Sequence, residues 1–497
     1  MTRLRLDAVA EPGLPPLAWC ARMHRGHSEV AVRAGRDVVV SDDAIVEGAW
    51  DGRFSALDFD RAASLAGTGL RVAAQTVRFV AGSGRHDRLY ATCRGDDLWV
   101  SNSLVYVWVA AGDAPDPRHR RHIHDLMQQV RTSRFERTPQ SFRGCSGPVS
   151  IIELRDLEVD ATLALRPVDK VALPTPRDFG EVDALLDGVV ARTFENAADS
   201  SRNRRYRPLA TVSRGYDSPA TAALAARHGC REALTFAELR PGVPSPDDGT
   251  EVGEHLGLAI VRRSRDEWRA RTDLPEAEVW ACPPAMMMPL ASVEADLPGR
   301  VLVTGRFGDR LFPPPFGPHG PPAVQSILSA PSSCEMKLRL GFVHFAPFFA
   351  LRPHAARLIA MAGAPELAPW SVGGDYDRPI PRRIAETAGV PRDLFGMRKL
   401  AGAVDEVREP AELSPTSQRD FAAFVAATPG LSSDGKQRRR LLVHGKVAAA
   451  RRLAARGAAR CHLSLPPLLT FLPTTHDERL FQWGFARTRS RYDGLAP

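Results

Sequence analysis

A short polar segment, residues 213–218, carries the residue types and spacing of a phosphate-binding loop. Its sequence is Ser-Arg-Gly-Tyr-Asp-Ser, and it follows an apolar run at residues 209–212 that is typical of a β-strand. The residues after it favour a helix, with Ser218 as the expected N-cap and Pro219 in the first turn. Backbone N–H groups at a strand–loop–helix turn can bind an anion. The segment therefore predicts phosphate chemistry, although it lacks the Gly-Lys-Ser/Thr ending of the usual P-loop.

The elements around this segment alternate between strand and helix patterns. We expect further strands at residues 233–237, 258–261 and 301–304, with helices between them. Gly229 and Gly257 fit the ends of the first two helices. A β-α-β-α-β order at this spacing predicts a doubly wound parallel sheet. Such sheets bind ligands at the carboxyl ends of their strands, which is where the polar segment lies.

Three segments of this region resemble motifs of the asparagine synthetases and related ATP pyrophosphatases. Residues 213–218 resemble their pyrophosphate loop, Ser-Gly-Gly-x-Asp-Ser, with Arg214 in place of the first glycine. Residues 245–258 begin with Ser-Pro-Asp and end a predicted helix with His-Leu-Gly, as in asparagine synthetases. Residues 305–312 resemble the loop Ser-Gly-Glu-Gly-x-Asp-Glu-Leu-Phe. The resemblance extends over residues 180–405, and more weakly over the N-terminal part. It implies adenylation of a substrate by ATP with release of pyrophosphate.

The resemblance implies a nucleotide site shared by the first and third motifs. Its expected ATP-binding residues are Ser213, Arg214, Gly215, Asp217, Ser218, Thr304 and Gly305. Asp217 and Asp309 match the magnesium-binding aspartates of the family, and Mg²⁺ prefers oxygen ligands such as carboxylates. An N-cap role is the alternative for Asp217. We therefore expect ATP and Mg²⁺ as cofactors.

Three further residues are candidates for the acyl-transfer chemistry. Lys399 ends a segment that resembles the one delivering the catalytic lysine in this superfamily, where it would hold the α-phosphate and the oxyanion. A surface lysine is the alternative. Glu335 resembles the glutamate that β-lactam-forming relatives use in proton removal, and an ordinary surface glutamate is its alternative. Arg306 stands where asparagine synthetases have glutamate and the β-lactam-forming relatives have tyrosine. Because an arginine is no base at neutral pH, we expect Arg306 to bind a substrate carboxylate or a phosphate.

The N-terminal part of the chain has the alternating pattern of β-strands. Residues 87–104 predict a hairpin turning at residues 94–95, which resembles the glutaminase-domain hairpin of asparagine synthetases. That domain needs a cysteine nucleophile directly after Met1, and this chain has Thr2. We therefore expect a degenerate Ntn-hydrolase-like domain without glutaminase activity.

A proline-punctuated stretch, residues 173–177, is the expected boundary between two domains. The first domain, residues 1–178, is predicted to be the degenerate glutaminase-like domain, of α+β type. The second, residues 179–497, is predicted to be an asparagine-synthetase-like ATP-binding domain of α/β type, adenine nucleotide α-hydrolase-like in fold. It begins with an amphipathic helix over residues 179–196. Residues 413–460 predict a helical C-terminal part.

The composition is that of an ordinary globular protein. The 497 residues are 44% hydrophobic and 25% charged, and the chain is too long for one core. The net charge of +8 is modest over this length, so we expect a solvated basic surface and no nucleic-acid partner. Seven scattered cysteines without a Cys-x-x-Cys pair favour free thiols in the cytoplasm. The N-terminus lacks a signal-peptide core and no run has the length of a membrane span, so we expect no membrane partner.

The sequence thus predicts a cytoplasmic, ATP- and magnesium-dependent ligase. It would adenylate a small-molecule or peptide carboxylate and let an amine attack, forming an amide or a cyclic amide. A natural-product or peptide-tailoring role is suggested by the resemblance to β-lactam synthetases and lasso-peptide cyclases. One alternative is a catalytically inactive asparagine-synthetase-like partner subunit, favoured by Arg214 and Arg306. The other is a tRNA-modifying ATP pyrophosphatase. The lack of paired cysteines and the presence of the glutaminase-like part count against it. No oligomeric state is predicted.

Overall fold

The computed structural model describes residues 3–123, 125–126, 140–283, 287–312, 334–374, 376–398, 407, 409–428 and 475–497. Over these residues the fold is mixed α/β and contains three β-sheets. This confirms the mixed α/β class expected from the sequence. The cysteines in this part of the chain are free thiols, as predicted. Within the same ranges, no helix has both the length and the apolar content needed to cross a membrane.

Two sheets form the N-terminal part and share one core. Their strands are, in chain order, β1 (Arg5–Ala10), β2 (Trp19–His24), β3 (Glu29–Ala34), β4 (Val39–Val40), β5 (Ala44–Trp50), β6 (Leu65–Val72), β7 (Thr76–Val80), β8 (Leu89–Arg94), β9 (Asp97–Ser101), β10 (Gln140–Arg143), β11 (Pro148–Ile152), β12 (Arg155–Asp160) and β13 (Leu165–Asp169). The first sheet has the order β1-β3-β2-β9-β8-β11-β10, and the second has the order β13-β12-β7-β6-β5-β4. Trp19 and Val100 of the first sheet pack with Phe79 and Val159 of the second, as inner faces of stacked sheets do.

The predicted hairpin is present in the first sheet. Strands β8 and β9 pair antiparallel, with Arg94 opposite Asp97. Gly95, between them, has a φ of +59°, a left-handed conformation that glycine adopts without steric cost. The prediction of a hairpin turning at residues 94–95 is therefore confirmed.

The third sheet contains the parallel strands predicted around the phosphate-binding loop. Its strands are β14 (Arg207–Thr211), β15 (Glu232–Arg240), β16 (Val243–Pro244), β17 (Ala259–Ser264), β18 (Arg300–Val303) and β19 (Val343–Phe345). The parallel order is β17-β15-β14-β18-β19, and the short β16 is antiparallel to β15. In chain order, β15 and β17 therefore extend the sheet on one side of β14, and β18 and β19 then extend it on the other side. The four predicted strands are confirmed, with boundaries that differ by a few residues.

Helices connect the strands of the third sheet and continue toward the C-terminus. The α-helices are, in chain order, α1 (Leu104–Ala110), α2 (Phe179–Ala198), α3 (Asp217–Arg227), α4 (Thr250–His255), α5 (Pro275–Trp280), α6 (Gly308–Leu311), α7 (Cys334–Leu340), α8 (Ala355–Ala362), α9 (Pro379–Thr387), α10 (Pro415–Ala427) and α11 (Thr475–Thr488). Short 3₁₀ segments are Phe54–Ala56, Phe59–Arg61, Glu267–Ala270, Met288–Asp296, Pro347–His354, Pro365–Trp370, Arg392–Leu394, Pro410–Glu412 and Arg489–Arg491. Helices α2 and α10 confirm two predicted helices. The remainder of the predicted helical part, residues 429–460, lies outside the described residues.

Helix α2 packs the N-terminal sheets against the third sheet. The side-chain oxygen of Asn196, near its end, accepts a hydrogen bond from the N–H of Trp50 at 3.3 Å. Arg202 donates to the carbonyl of Gly48 at 2.9 Å. The predicted boundary at residues 173–177 falls between β13 and α2. The division into two domains itself stays a prediction.

One local prediction is wrong, because Ser218 does not cap helix α3. The helix begins at Asp217, and Tyr216 occupies the N-cap position without a side-chain capping bond. The hydroxyl of Ser218 lies 2.8 Å from that of Ser213 instead. Ser218 therefore makes a hydrogen bond across the loop in place of the expected capping bond. A serine at a helix start can form either kind of bond. Gly229 follows the helix with a φ of +85°, as predicted.

Candidate functional site

The first and third motifs meet at the carboxyl ends of two neighbouring strands. Strands β14 and β18 pair in parallel, with Leu209 opposite Leu302 and Ala210 opposite Val303. The loops that follow them therefore leave the sheet side by side at the same edge. These strands also mark the point where the strand order changes direction. Open α/β sheets bind their ligands in the crevice at such a point.

Two glycines allow these loops to touch. A Cβ atom at Gly305 would lie 2.3 Å from the carbonyl carbon of Asp217, and one at Gly308 would lie 2.4 Å from its Oδ1. Real Cβ atoms do not approach other atoms that closely, so the contact requires glycine at both positions. The predicted ATP-binding residue Gly305 and the predicted metal ligand Asp217 are thus in direct contact. Asp309 is the residue after Gly308.

The loop of residues 213–218 is held by hydrogen bonds of its own. The hydroxyl oxygens of Ser213 and Ser218 are 2.8 Å apart, and the N–H of Gly215 donates to Ser213 Oγ at 3.2 Å. Thr221, one turn into α3, donates from its hydroxyl to the carbonyl of Asp217 at 3.1 Å. The predicted binding residues Ser213, Gly215 and Ser218 therefore form one hydrogen-bonded group at the start of the helix.

The second motif binds the same loop. The N–H of Arg214 donates to Oδ1 of Asp247, the aspartate of the Ser-Pro-Asp sequence, at 3.0 Å. The guanidinium of Arg214 donates to the carbonyl of Asp248 and to the carboxylate of Glu251, both at 3.1 Å. The three motifs therefore meet in one place. The side chain of Arg214, which stands where the asparagine-synthetase motif has glycine, is directed toward helix α4.

A fourth segment, the one predicted to deliver Lys399, also contacts the loop. The N–H of Gly396 donates to the carbonyl of Arg214 at 2.8 Å. Arg382, on α9, donates to the hydroxyl of Tyr216 at 2.9 Å. Lys399 itself lies outside the described residues, so its role stays a prediction. The structure nevertheless places the chain just before it against the loop of residues 213–218.

Thr304 connects the candidate site to a buried pair of histidines. Its hydroxyl lies 3.0 Å from Nε2 of His344, on β19. The ring of His344 stacks on His86 of the N-terminal part, with ring centroids 4.0 Å apart. Burial lowers the pKa of both imidazoles well below the ordinary histidine value, so both are neutral at neutral pH. Sequence reasoning missed this pair because its members are brought together only by the packing of separate sheets.

Arg306 lies partly buried in the turn before α6. Removal of water lowers the pKa of its guanidinium to about 10, and the negative charge of Asp309 opposes that fall. A pKa of about 10 still keeps Arg306 protonated at neutral pH. Arg306 therefore provides positive charge near Asp309.

Glu335 is a buried residue on α7, with 1% of its surface exposed. The alternative of an ordinary surface glutamate is therefore wrong. The hydroxyl of Ser103 donates to its Oε1 and the hydroxyl of Tyr492 donates to its Oε2, both at 2.6 Å. Burial raises the pKa of this carboxyl, and the two hydroxyl donors oppose the rise. Its oxygens are directed at these hydroxyls, and a role in proton removal stays a prediction.

Asp217 and Asp309, the predicted metal ligands, belong to loops that are in contact. Among the described residues, no group of three or more His, Cys, Asp and Glu side chains is arranged to hold a metal ion. Mg²⁺ in nucleotide sites is commonly held by one or two carboxylates together with phosphate oxygens and water. Two aspartates next to a loop predicted to bind phosphate fit that kind of site.

Sequence reasoning also missed Tyr376 and Arg378, which lie next to the loop. Nη1 of Arg378 is 4.0 Å from Oδ1 of Asp217. A Cβ atom at Gly215 would lie 3.6 Å from the hydroxyl oxygen of Tyr376. Both belong to the sequence Tyr-Asp-Arg ahead of α9. The sequence signal that could have identified them is an aromatic residue and an arginine directly before the helix predicted to precede Lys399.

Comparisons with known proteins do not assign the chain to a family. No family model matches the chain, and a search of the curated proteins finds no significant match. The relation to asparagine synthetases therefore remains a proposal based on the three motifs.

Proposed function

We propose that the protein is an ATP-dependent, AMP-forming carbon–nitrogen ligase related to the asparagine synthetases. It adenylates a carboxylate, releases pyrophosphate and couples the acyl group to an amine, without glutaminase activity. The observation that carries this proposal is the contact of Asp217 with Gly305 and Gly308. That contact joins the two loops that resemble nucleotide-binding motifs, at the point where the order of the parallel strands changes direction.

The strand order supports the finer fold that the proposal includes. The parallel order β17-β15-β14-β18-β19 agrees with a doubly wound ATP-pyrophosphatase domain of the adenine nucleotide α-hydrolase-like kind. The two facing sheets before it agree with a degenerate Ntn-type glutaminase domain. Thr2 lies outside the described residues, and its chemical type is the reason to expect no glutaminase activity.

The loop of residues 213–218 is the proposed binding site for the phosphates of ATP. The hydroxyls of Ser213 and Ser218 lie together there, next to the first turn of α3. Hydroxyls and helix-terminal N–H groups are suitable donors to phosphate oxygens. Asp217 and Asp309 would hold Mg²⁺, which when bound neutralises phosphate charge and favours the departure of pyrophosphate.

Positive charge beside the loop is proposed to stabilise acyl transfer. Arg306 stays protonated near Asp309 and would bind a substrate carboxylate or a phosphate. Lys399 is proposed to bind the α-phosphate and the oxyanion. Glu335 is proposed to remove a proton from the amine, since a carboxylate that accepts one hydrogen bond on each oxygen, from Ser103 and Tyr492, keeps further lone pairs. The acyl and amine substrates are proposed to be small molecules or peptides.

Binding of MgATP tests the proposal. We expect isothermal titration calorimetry to detect MgATP binding to the wild-type protein. Asp217→Asn and Asp309→Asn should each weaken it about tenfold or more, because each removes a charged metal ligand. In ATP–pyrophosphate exchange with a panel of amino acids and peptides as acyl donors, both variants should lose on the order of a thousandfold in rate.

A matched control is available on helix α2. Asp183→Asn removes an aspartate that pairs with Arg227 at 2.9 Å, away from the candidate site. This variant should bind MgATP as the wild-type protein does. Absence of MgATP binding by the wild-type protein, or wild-type affinity in both site variants, would contradict the proposal. Binding without exchange for any acyl donor would favour an inactive partner subunit.

A further inference from the structure

Arg378 is a buried arginine with unused hydrogen-bonding capacity. It immediately precedes helix α9, and 7% of its surface is exposed. Neither its Nε nor its Nη1 has a hydrogen-bond partner among the described residues. A buried donor left without a partner is unfavourable, because the group has lost its water and gained nothing in exchange. Such a group in a folded protein indicates a place that a ligand or water completes.

The free side of this guanidinium lies next to the phosphate-binding loop. Nη1 is 4.0 Å from Oδ1 of Asp217, which is close enough for charge attraction and too far for a hydrogen bond. The ring of Tyr376 lies 5.4 Å from the guanidinium carbon, within the range of a cation–π contact. These neighbours orient the guanidinium without using its Nε and Nη1 donors.

The neighbouring arginines of α9 have other roles. Arg382 donates to the hydroxyl of Tyr216 at 2.9 Å and to Glu386 at 3.0 Å, which connects the helix to the loop. Arg383 lies over the rings of Phe179 and Trp370, at 4.0 and 4.3 Å from their centroids. Of these three arginines, Arg378 is the one whose guanidinium lies beside Asp217.

We propose that Arg378 is an anion-binding residue of the candidate site, donating from Nε and Nη1 to phosphate oxygens of pyrophosphate or of a nucleotide. The planar guanidinium suits this role because adjacent N–H groups can bind two oxygens of one phosphate. The identity of the anion rests on the proposed ligase function, and the binding of a phosphate-type anion does not. Asp217 is a counter-charge of Arg378, with its Oδ1 4.0 Å from Nη1.

Inorganic pyrophosphate is the probe for this inference. Its affinity for the full-length protein, with Mg²⁺ present, is measured by isothermal titration calorimetry for the wild type, Arg378→Gln and Arg378→Lys. Loss of charge-assisted hydrogen bonds should raise the dissociation constant of Arg378→Gln about tenfold to a hundredfold. Arg378→Lys keeps the charge without the two-donor geometry, so its affinity should lie between those of the wild type and Arg378→Gln.

Arg383→Gln is the matched control, because it removes an arginine of the same helix that lies over Phe179 and Trp370. It should bind pyrophosphate as the wild type does, and circular dichroism with thermal melting verifies that each variant is folded. Wild-type affinity in folded Arg378→Gln overturns the inference and leaves Arg378 as a counter-ion of Asp217.

The outcomes separate this inference from the proposed function. Pyrophosphate binding that depends on Arg378, in a protein that binds no MgATP, supports the inference and contradicts the ligase proposal. MgATP and pyrophosphate binding that are both unchanged in Arg378→Gln support the ligase proposal and overturn the inference. A wild-type protein that binds neither compound overturns both.

Discussion

Two charged clusters in this protein differ in how far their polar groups are paired within the protein. The lysine cluster consists of Lys337, Glu47 and Asp87, and the loop cluster consists of Asp217 and Arg378. In the lysine cluster, Nζ of Lys337 lies 3.0 Å from the Glu47 carboxylate and also donates to Asp87. In the loop cluster, the charges approach only to 4.0 Å, and the guanidinium keeps two donors without a partner in the described residues.

The difference distinguishes charges that are paired within the fold from charges that we propose bind a ligand. Burying an ion is unfavourable unless its partners replace the lost water. The lysine cluster meets much of that requirement with its own side chains, since Lys337 contacts both carboxylates and the hydroxyl of Thr68 donates to Oε1 of Glu47. Oε2 of Glu47 has its ion pair with Lys337 and no hydrogen-bond partner among the described residues. In the loop cluster, Nε and Nη1 of Arg378 have no hydrogen-bond partner among the described residues. The cluster lies at the carboxyl ends of parallel strands, where open α/β sheets commonly bind ligands. We therefore expect changes in the first cluster to alter stability and changes in the second to alter binding.

The largest expected effect comes from removing the cation of the lysine cluster. Lys337→Met keeps a similar shape and leaves Glu47 and Asp87 buried without their counter-charge. The free energy of unfolding should fall by about 3–5 kcal/mol, the usual loss when one partner of a buried ion pair is removed. Urea unfolding followed by circular dichroism measures it.

Lys170→Met is the matched control for that change. Lys170 is bonded to Asp156, and Asp156 is also paired with Arg78 at 2.8 Å, so its charge stays compensated. The control should therefore lose clearly less stability than Lys337→Met. Equal losses in the two variants would show that shape, and not charge pairing, dominates in the lysine cluster.

A smaller effect is expected from pH, through Glu47 of the same cluster. Burial raises the pKa of the Glu47 carboxyl from 4.5 to about 7; Lys337 opposes this rise and Asp87 adds to it. The folded protein thus keeps a proton that the unfolded chain releases. This contribution to stability is complete below the unfolded pKa of 4.5 and is lost as the pH rises through about 7.

Glu47→Gln directly tests the direction of this pH dependence of stability. Between about pH 5 and about pH 8, the wild-type free energy of unfolding should fall relative to that of the variant by up to about 3 kcal/mol. Parallel urea titrations of the two proteins across that range measure the difference. The same pH dependence in both proteins would show that Glu47 is already ionised in the folded state.

The smallest effect is expected in the loop. Arg214→Gly introduces the glycine of the asparagine-synthetase motif and removes a partly exposed ion pair with Glu251. Stability should change by less than about 1 kcal/mol, as for other surface pairs. MgATP affinity, measured by calorimetry, should stay near that of the wild type because the side chain is directed toward α4. A clear loss of affinity would instead place the guanidinium on the nucleotide.

Features that depend on neighbouring residues were predictable from the sequence. The hairpin at Gly95 and the strands of the third sheet follow from periodicity and turn residues. The N-cap at Ser218 failed because its hydroxyl has a partner in Ser213, five residues earlier. Propensity indicates which residues can cap a helix, and it does not indicate which competing partner lies nearby.

The contacts between distant segments were not predictable. Lys337 and Glu47 are 290 residues apart in the chain, and no local pattern pairs them. The candidate site shows the same limit, since the motifs named Asp217 and Gly305 but gave no sign that Arg378 would lie beside them. Such contacts are fixed by how sheets and helices pack, which one sequence specifies only through the whole fold.

The hydrogen bonds of Tyr492 have a consequence for how this protein is made. Tyr106 donates to the carbonyl of Leu495, 389 residues later, and Tyr492 binds Glu335, which in turn binds Ser103. A ribosome synthesises the N-terminal strands long before residue 492 exists, and domains begin to fold during synthesis. The buried carboxyl of Glu335 therefore lacks one of its donors while the 157 residues from Glu335 to Tyr492 are added. We expect nascent chains to depend on chaperones until residue 492 has been synthesised.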